Sequence, residues 1–250
     1  MIAEFPLFVF TLLGGAAAGA YAFSAVFPCK RDESRKSVAF PATCLVLLTV
    51  SGLCLLTHLG HPERMFNAFS NFSAGIAQEG VAMIALGIVS LVDVIFAAVK
   101  GESPRWLRVV GGVFGVLLLV AMGNAYCQLF NVEVAATLAV APFFIVGGIF
   151  LGAALYGLFM DAPYAKGAFL WASVAVAAVL AVTLAAMGAH FAAIGLSPVP
   201  FVVGIIVAPV ASAVVMAANV KTGKAWTPVA VCALAFVGMA VARYAFYVVA

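Results

Sequence analysis

FPLFVFTLLGGAAAGAYAFSAVF, residues Phe5–Phe27, decides the fold: 23 consecutive residues carry no charge. At about 1.5 Å of rise per residue, such a helix crosses the ~30 Å hydrocarbon core of a bilayer. Glu4 precedes it where a secretory signal would have a basic segment. The run is also too long for the apolar region of a signal, so it reads as a retained membrane helix.

The rest of the chain follows the same pattern. Of 250 residues, 66% are hydrophobic and 8% charged, and the mean hydropathy is +1.23. That composition excludes a separate soluble domain and leaves no basic surface for nucleic acid. Apolar stretches near 5–27, 38–58, 76–99, 108–129, 135–159, 167–192, 199–219 and 228–249 are the expected spans. The expected fold is therefore all-α and embedded in the lipid bilayer, one bundle of eight transmembrane helices over residues 1–250. Glycines in the spans, such as Gly14, Gly15, Gly19, Gly147, Gly148 and Gly152, predict seams of closely packed helices.

The loops between spans alternate in charge. Lys30, Arg31, Arg35, Lys36, Lys100, Arg105, Arg108, Lys166, Lys221 and Lys224 lie on one side. Arg64 and Arg243 are the only lysines or arginines on the other. By the positive-inside rule the basic loops are cytoplasmic and both termini lie outside.

The five cysteines are scattered and form no C-x-x-C pair, so the chain is not expected to ligate an iron–sulfur cluster. Polar residues instead gather at the expected outer helix ends: Thr11, His58, Glu79, Asn124, Tyr126, Gln128, His190, Arg243, Tyr244 and Tyr247. Polar groups at that depth usually face a bundle interior or a wet cavity, which predicts one pocket near the outer face. Interfacial tyrosines are the plainer alternative.

Within that set His58 closes one span and Glu79 opens the next. An imidazole titrates near neutral pH and suits removal of a hydroxyl proton from a lipid-soluble quinol. Glu79 can support it, although a position in the first helical turn favours the carboxylate. A structural hydrogen bond between the two is an equal alternative. The loop that follows, with Pro62, Arg64, Phe66, Phe69 and Phe72, reads as an amphipathic segment along the membrane face. It is a docking surface or simply an interfacial helix.

His190 falls at the same depth as His58. Two histidines on different helices could ligate a b-type haem, and a packing histidine is the commoner alternative. Asp93 lies fourteen residues after Glu79, about 21 Å along the same helix. It is expected to pair with a neighbouring helix or with Lys100.

At these residues the chain resembles the membrane anchor of dimethyl sulfoxide reductase, within the wider polysulfide-reductase/NrfD-type family. The similarity rests on Glu4-Phe5-Pro6-Leu7 with Phe10-Thr11 and Gly14, on His58-Leu59-Gly60, Pro62, Arg64 and Phe66-Asn67 followed by Glu79, and on Arg243 with Phe246-Tyr247. The resemblance implies a multi-pass anchor in the cytoplasmic (inner) membrane of a prokaryote that oxidises menaquinol without haem. It implies electron transfer to a four-cluster ferredoxin-like iron–sulfur subunit, and onward to a molybdopterin catalytic subunit on the outer face. His58 and Glu79 match the family's quinol-site histidine and glutamate, and Arg64 lies in the same motif. Tyr126, His190 and Arg243 join the candidate quinol-binding set by depth. A haem b quinol-linked subunit, a small-solute transporter and a passive anchor are the alternatives.

Overall fold

The computed structural model describes residues 4–28, 34–58, 74–129, 132–220 and 223–249. The helices are α1 (Phe5–Val26), α2 (Ser34–His58), α3 (Gly75–Lys100), α4 (Arg105–Leu129), α5 (Val132–Ala135), α6 (Val140–Gly157), α7 (Ala168–Ala193), α8 (Val199–Ile205), α9 (Ser212–Asn219) and α10 (Thr227–Val249). A π-helical turn, Ile206–Ala211, joins α8 to α9 as one continuous span. Eight spans are long and apolar enough to cross a membrane. Helices suit that medium because every backbone polar group bonds within its own segment.

The seventh span falls at the expected 199–219, whereas the start of the fifth differs from the expectation. The fifth begins at Val140, not near 135, after a turn in which the Ala139 amide donates to Thr137 Oγ1. Pro142 has no amide hydrogen, so it is tolerated in the first turn of α6 but would break a helix continuing from α5. In the seventh span Pro209 lies inside the π-helical turn, which absorbs the missing hydrogen bond without ending the span.

The spans pack as two four-helix rings. In the first, α1, α2, α3 and α4 contact one another in cyclic order; in the second, α6, α7, the α8–α9 span and α10 do the same. The rings join where α1 packs on α6, and these two helices are the most buried of the eight. The sequence shows no convincing repeat, because this likeness lies in contact order and not in residue identity.

Small residues make the junction. A Cβ added at Gly152 would lie 2.0 Å from the carbonyl carbon of Gly19, and one at Gly19 would lie 2.1 Å from the Gly148 carbonyl oxygen. The Gly148/Gly152 spacing thus serves an intrachain seam, in which close backbone approach supplies the dispersion contacts that lipid does not. Valine, isoleucine and leucine on the outward faces of α2, α3, α4 and α7 are exposed, as a lipid-facing surface requires.

Lys100, Arg105, Arg108, Lys166 and Lys224 mark one end of the bundle as basic. Here Asp93 on α3 is fully buried and pairs with Arg108 Nε on α4 at 2.9 Å. Tyr21 on α1 donates to the same carboxylate oxygen at 3.1 Å. Arg108 also lies over the Phe40 ring on α2, 4.4 Å from its centroid. Of the two expectations for Asp93, the neighbouring helix is the one observed; Lys100 instead sits over Phe96. This cluster ties all four helices of the first ring together.

Candidate functional site

Arg243 is fully buried in the last third of α10. Its Nη1 donates to the Thr11 carbonyl on α1, and its Nη2 to the Phe144 carbonyl on α6 at 3.4 Å. The guanidinium carbon lies 5.4 Å from the centroid of the Phe144 ring. The arginine therefore sits where both rings meet.

Local sequence explains how it fits. Gly15 stands one helical turn after Thr11, and Gly148 one turn after Phe144. Neither carries a side chain that would cover those carbonyls. A Cβ added at Gly15 would come within 3.4 Å of Nη1, and one at Gly147 within 3.4 Å of Nη2. The glycine seam that lets α1 approach α6 is also the slot for the guanidinium.

Aromatic side chains close over this slot. The Tyr126 ring on α4 stacks on Phe144 with centroids 4.4 Å apart at 22°. Tyr247, one turn after Arg243 on α10, meets Tyr126 edge-on at 5.6 Å and 89°. Its hydroxyl donates to Thr11 Oγ1 at 3.2 Å. Phe246 packs edge-on against Phe144 on the same floor.

Glu79 supplies the carboxylate. It is 3% exposed, and its Oε1 has no hydrogen-bond partner among the described residues. It lies within electrostatic reach of Tyr126 and Tyr247, both of which also feel Arg243. Because α3 begins at Gly75, Glu79 stands in the second helical turn and not the first. The helix dipole favours its carboxylate correspondingly less there.

The structure thus brings Glu79, Tyr126 and Arg243 of the predicted set to one place. Thr11 and Tyr247 belong with them. Their depth and polarity mark them in the sequence, but nothing in it reveals that they bond to each other. Phe144 has no sequence signal, being one apolar residue among many. His190 is not among their bonding partners: its Nε2 is 2.8 Å from the Glu133 carbonyl on α5, an interaction that ties the end of α7 to that short helix. The backbone of His58 closes α2, but its side chain lies outside the described residues, as does Arg64. Among the described residues no group of three or more His, Cys, Asp or Glu could hold a metal.

Two buried side-chain atoms of this cluster bear on chemistry. Arg243 Nε, like Glu79 Oε1, has no hydrogen-bond partner among the described residues. One is a donor on a cation and the other an acceptor on a carboxyl group. Buried polar groups left unsatisfied in this way are uncommon and point to a missing partner. A ligand with oxygen atoms on a flat, apolar ring matches both the polar atoms and the aromatic walls.

Comparison with known proteins supplies the family. The family model described as DMSO reductase anchor subunit (DmsC) matches residues 1–249. The chain is also similar to the C subunit of the anaerobic dimethyl sulfoxide reductase of Escherichia coli (strain K12), 27% identical over 132 residues. That alignment covers 49% of this chain and 46% of the relative, so it spans about half of each. With a full-length family match on an eight-span helical bundle, the chain belongs to the DMSO reductase anchor subunit (DmsC) family.

Proposed function

We propose that this chain is the quinol-oxidising anchor of a multi-subunit molybdopterin-type reductase, with its quinol pocket at Glu79, Tyr126 and Arg243. One observation carries the reading: a Glu79 carboxyl oxygen and an Arg243 guanidinium nitrogen, each without a hydrogen-bond partner among the described residues, are buried, and both side chains lie within electrostatic reach of Tyr126, whose ring stacks on Phe144. The two hydroxyls of a quinol ring are the complement, one donating to Glu79 and one accepting from Arg243. Its apolar tail suits the lipid that surrounds the bundle.

Oxidation of a quinol to a quinone releases two protons and two electrons. Glu79 accepts one proton at its carboxylate, and His58, at the neighbouring end of α2, is the base for the other. Arg243 orients the ring through its oxygen. The electrons leave to a partner, which the family implies is a four-cluster ferredoxin-like iron–sulfur subunit feeding a molybdopterin catalytic subunit. In this reading menaquinol is the donor and the host is a prokaryotic cytoplasmic membrane. The basic end faces the cytoplasm, so the pocket and the partner subunits lie on the outer side.

The test is a titration of a fluorescent quinol-site inhibitor into membranes carrying the assembled complex. Wild type should quench saturably, and Glu79→Gln and His58→Ala should each lose quenching. Equal quenching in wild type and both variants would move the quinol site away from this pocket.

A further inference from the structure

We infer that Tyr247 and Thr11 are positioning residues that hold the Arg243 guanidinium in register with Tyr126 and Glu79, an inference that rests on the quinol reading of this pocket. Little else holds Arg243. Its two bonded nitrogens reach neutral carbonyls on two different helices, and among the described residues no carboxylate forms an ion pair with it. A long side chain held by two carbonyl oxygens keeps its aim only while those carbonyls keep their separation.

That separation is set between α1, α6 and α10. The α1–α6 seam is rigid, because glycine backbones touch along it. The α1–α10 contact is much smaller, and besides the Arg243 bond to the Thr11 carbonyl it holds a buried side-chain-to-side-chain bond, Tyr247 to Thr11, 3.2 Å long. It sits one helical turn from Arg243 on α10. On α1 it involves the same residue whose carbonyl receives Nη1. Thr11 therefore takes both contacts from α10: its carbonyl fixes the guanidinium and its hydroxyl fixes Tyr247. Thr11 Oγ1 in turn donates to the Phe8 carbonyl at 3.2 Å, which sets its rotamer.

Tyr247 also faces the rest of the pocket. Its ring packs edge-on to Tyr126 and lies 6.2 Å from Phe144. The Tyr247 hydroxyl also interacts with the Tyr126 side chain, so its bond to Thr11 bears on both the aim of the cation and the tilt of the ring that roofs the site. Removing it leaves the chemistry of Glu79 and Arg243 intact but loosens the distance between them.

The experiment uses the assembled complex in membranes, with Tyr247→Phe, Thr11→Val, the double variant and Thr11→Ser. Positioning predicts that each of the first two raises both the inhibitor Kd and the quinol KM about tenfold, with kcat within about twofold of wild type. The double variant should be no worse than Tyr247→Phe alone, which already removes the Thr11 bond. Thr11→Ser, which keeps the hydroxyl, should restore wild-type binding. Additive losses, or unchanged Kd in both singles, would overturn the inference. Arg243→Gln runs beside them: if it binds inhibitor as wild type does, the quinol reading of this pocket fails instead. Should Tyr247→Phe not assemble, Thr11→Val against Thr11→Ser decides the same bond.

Discussion

Arg108 on α4 and Asp93 on α3 form an ion pair at 2.9 Å, with the carboxylate fully buried and the guanidinium 14% exposed. Breaking a buried pair strands a charge, whereas replacing both partners with apolar groups does not. Asp93→Asn should therefore lower stability by on the order of 3 kcal/mol, and Asp93→Leu combined with Arg108→Met by much less. Thermal unfolding of the purified protein in detergent checks both. A double variant as unstable as the single would show that the charge itself is required.

The glycine seam gives a paired prediction. Gly152→Ala puts a methyl group against the Gly19 backbone, where nothing can yield, and should destabilise by more than about 2 kcal/mol. Gly87 on α3 meets nothing within 4 Å, so Gly87→Ala should stabilise by about 0.5–1 kcal/mol through helix propensity. Melting temperatures of the two variants should move in opposite directions.

Glu79→Gln keeps the shape of the side chain and removes its capacity to accept a proton. Quinol-dependent electron transfer should fall about 100-fold, in the range removal of a general base gives. Assembly, read by co-purification of partner subunits, should be unchanged. A rate within about twofold of wild type would remove Glu79 from the proton path.

His190 bonds the Glu133 carbonyl. His190→Ala should cost about 1 kcal/mol of stability, the net worth of one hydrogen bond. Quinol oxidation should stay close to the wild-type rate. Loss of a visible absorption band of the reduced protein on this substitution would instead mark His190 as a haem ligand.

Orientation is testable without function. In the basic loop after α3, Glu102→Cys should react with a membrane-impermeant thiol reagent only after the membrane is opened. Leu138, between α5 and α6, is 97% exposed, and Leu138→Cys should react from outside intact cells. The reverse pattern would invert the topology.

The spans were legible because their signal is local and additive: about twenty apolar residues in a row mean a crossing helix whatever lies elsewhere. Where Pro142 intervened, apolar composition alone misjudged the start of the fifth span. A window average is blind to one missing amide hydrogen. In the pocket, depth picked out Glu79, Tyr126 and Arg243 because helix ends at one level are readable from span boundaries. The same rule offered His190, which the fold sends to Glu133. Depth orders residues along the membrane normal and says nothing of direction around each helix.

The sequence alone determined that the chain spans a bilayer eight times, that charge is concentrated at one end, and that polar groups gather at the other. These follow from hydropathy and charge, which each residue carries with it. Only the tertiary structure decided that Arg243 reaches Thr11, 232 residues earlier, that Tyr247 bonds the same residue, and that Gly15 and Gly147 make the slot. Those facts depend on which face each helix turns toward its neighbours. In a bundle apolar on nearly every face, that choice is made by close packing of small residues and by the bonding needs of a few buried polar groups.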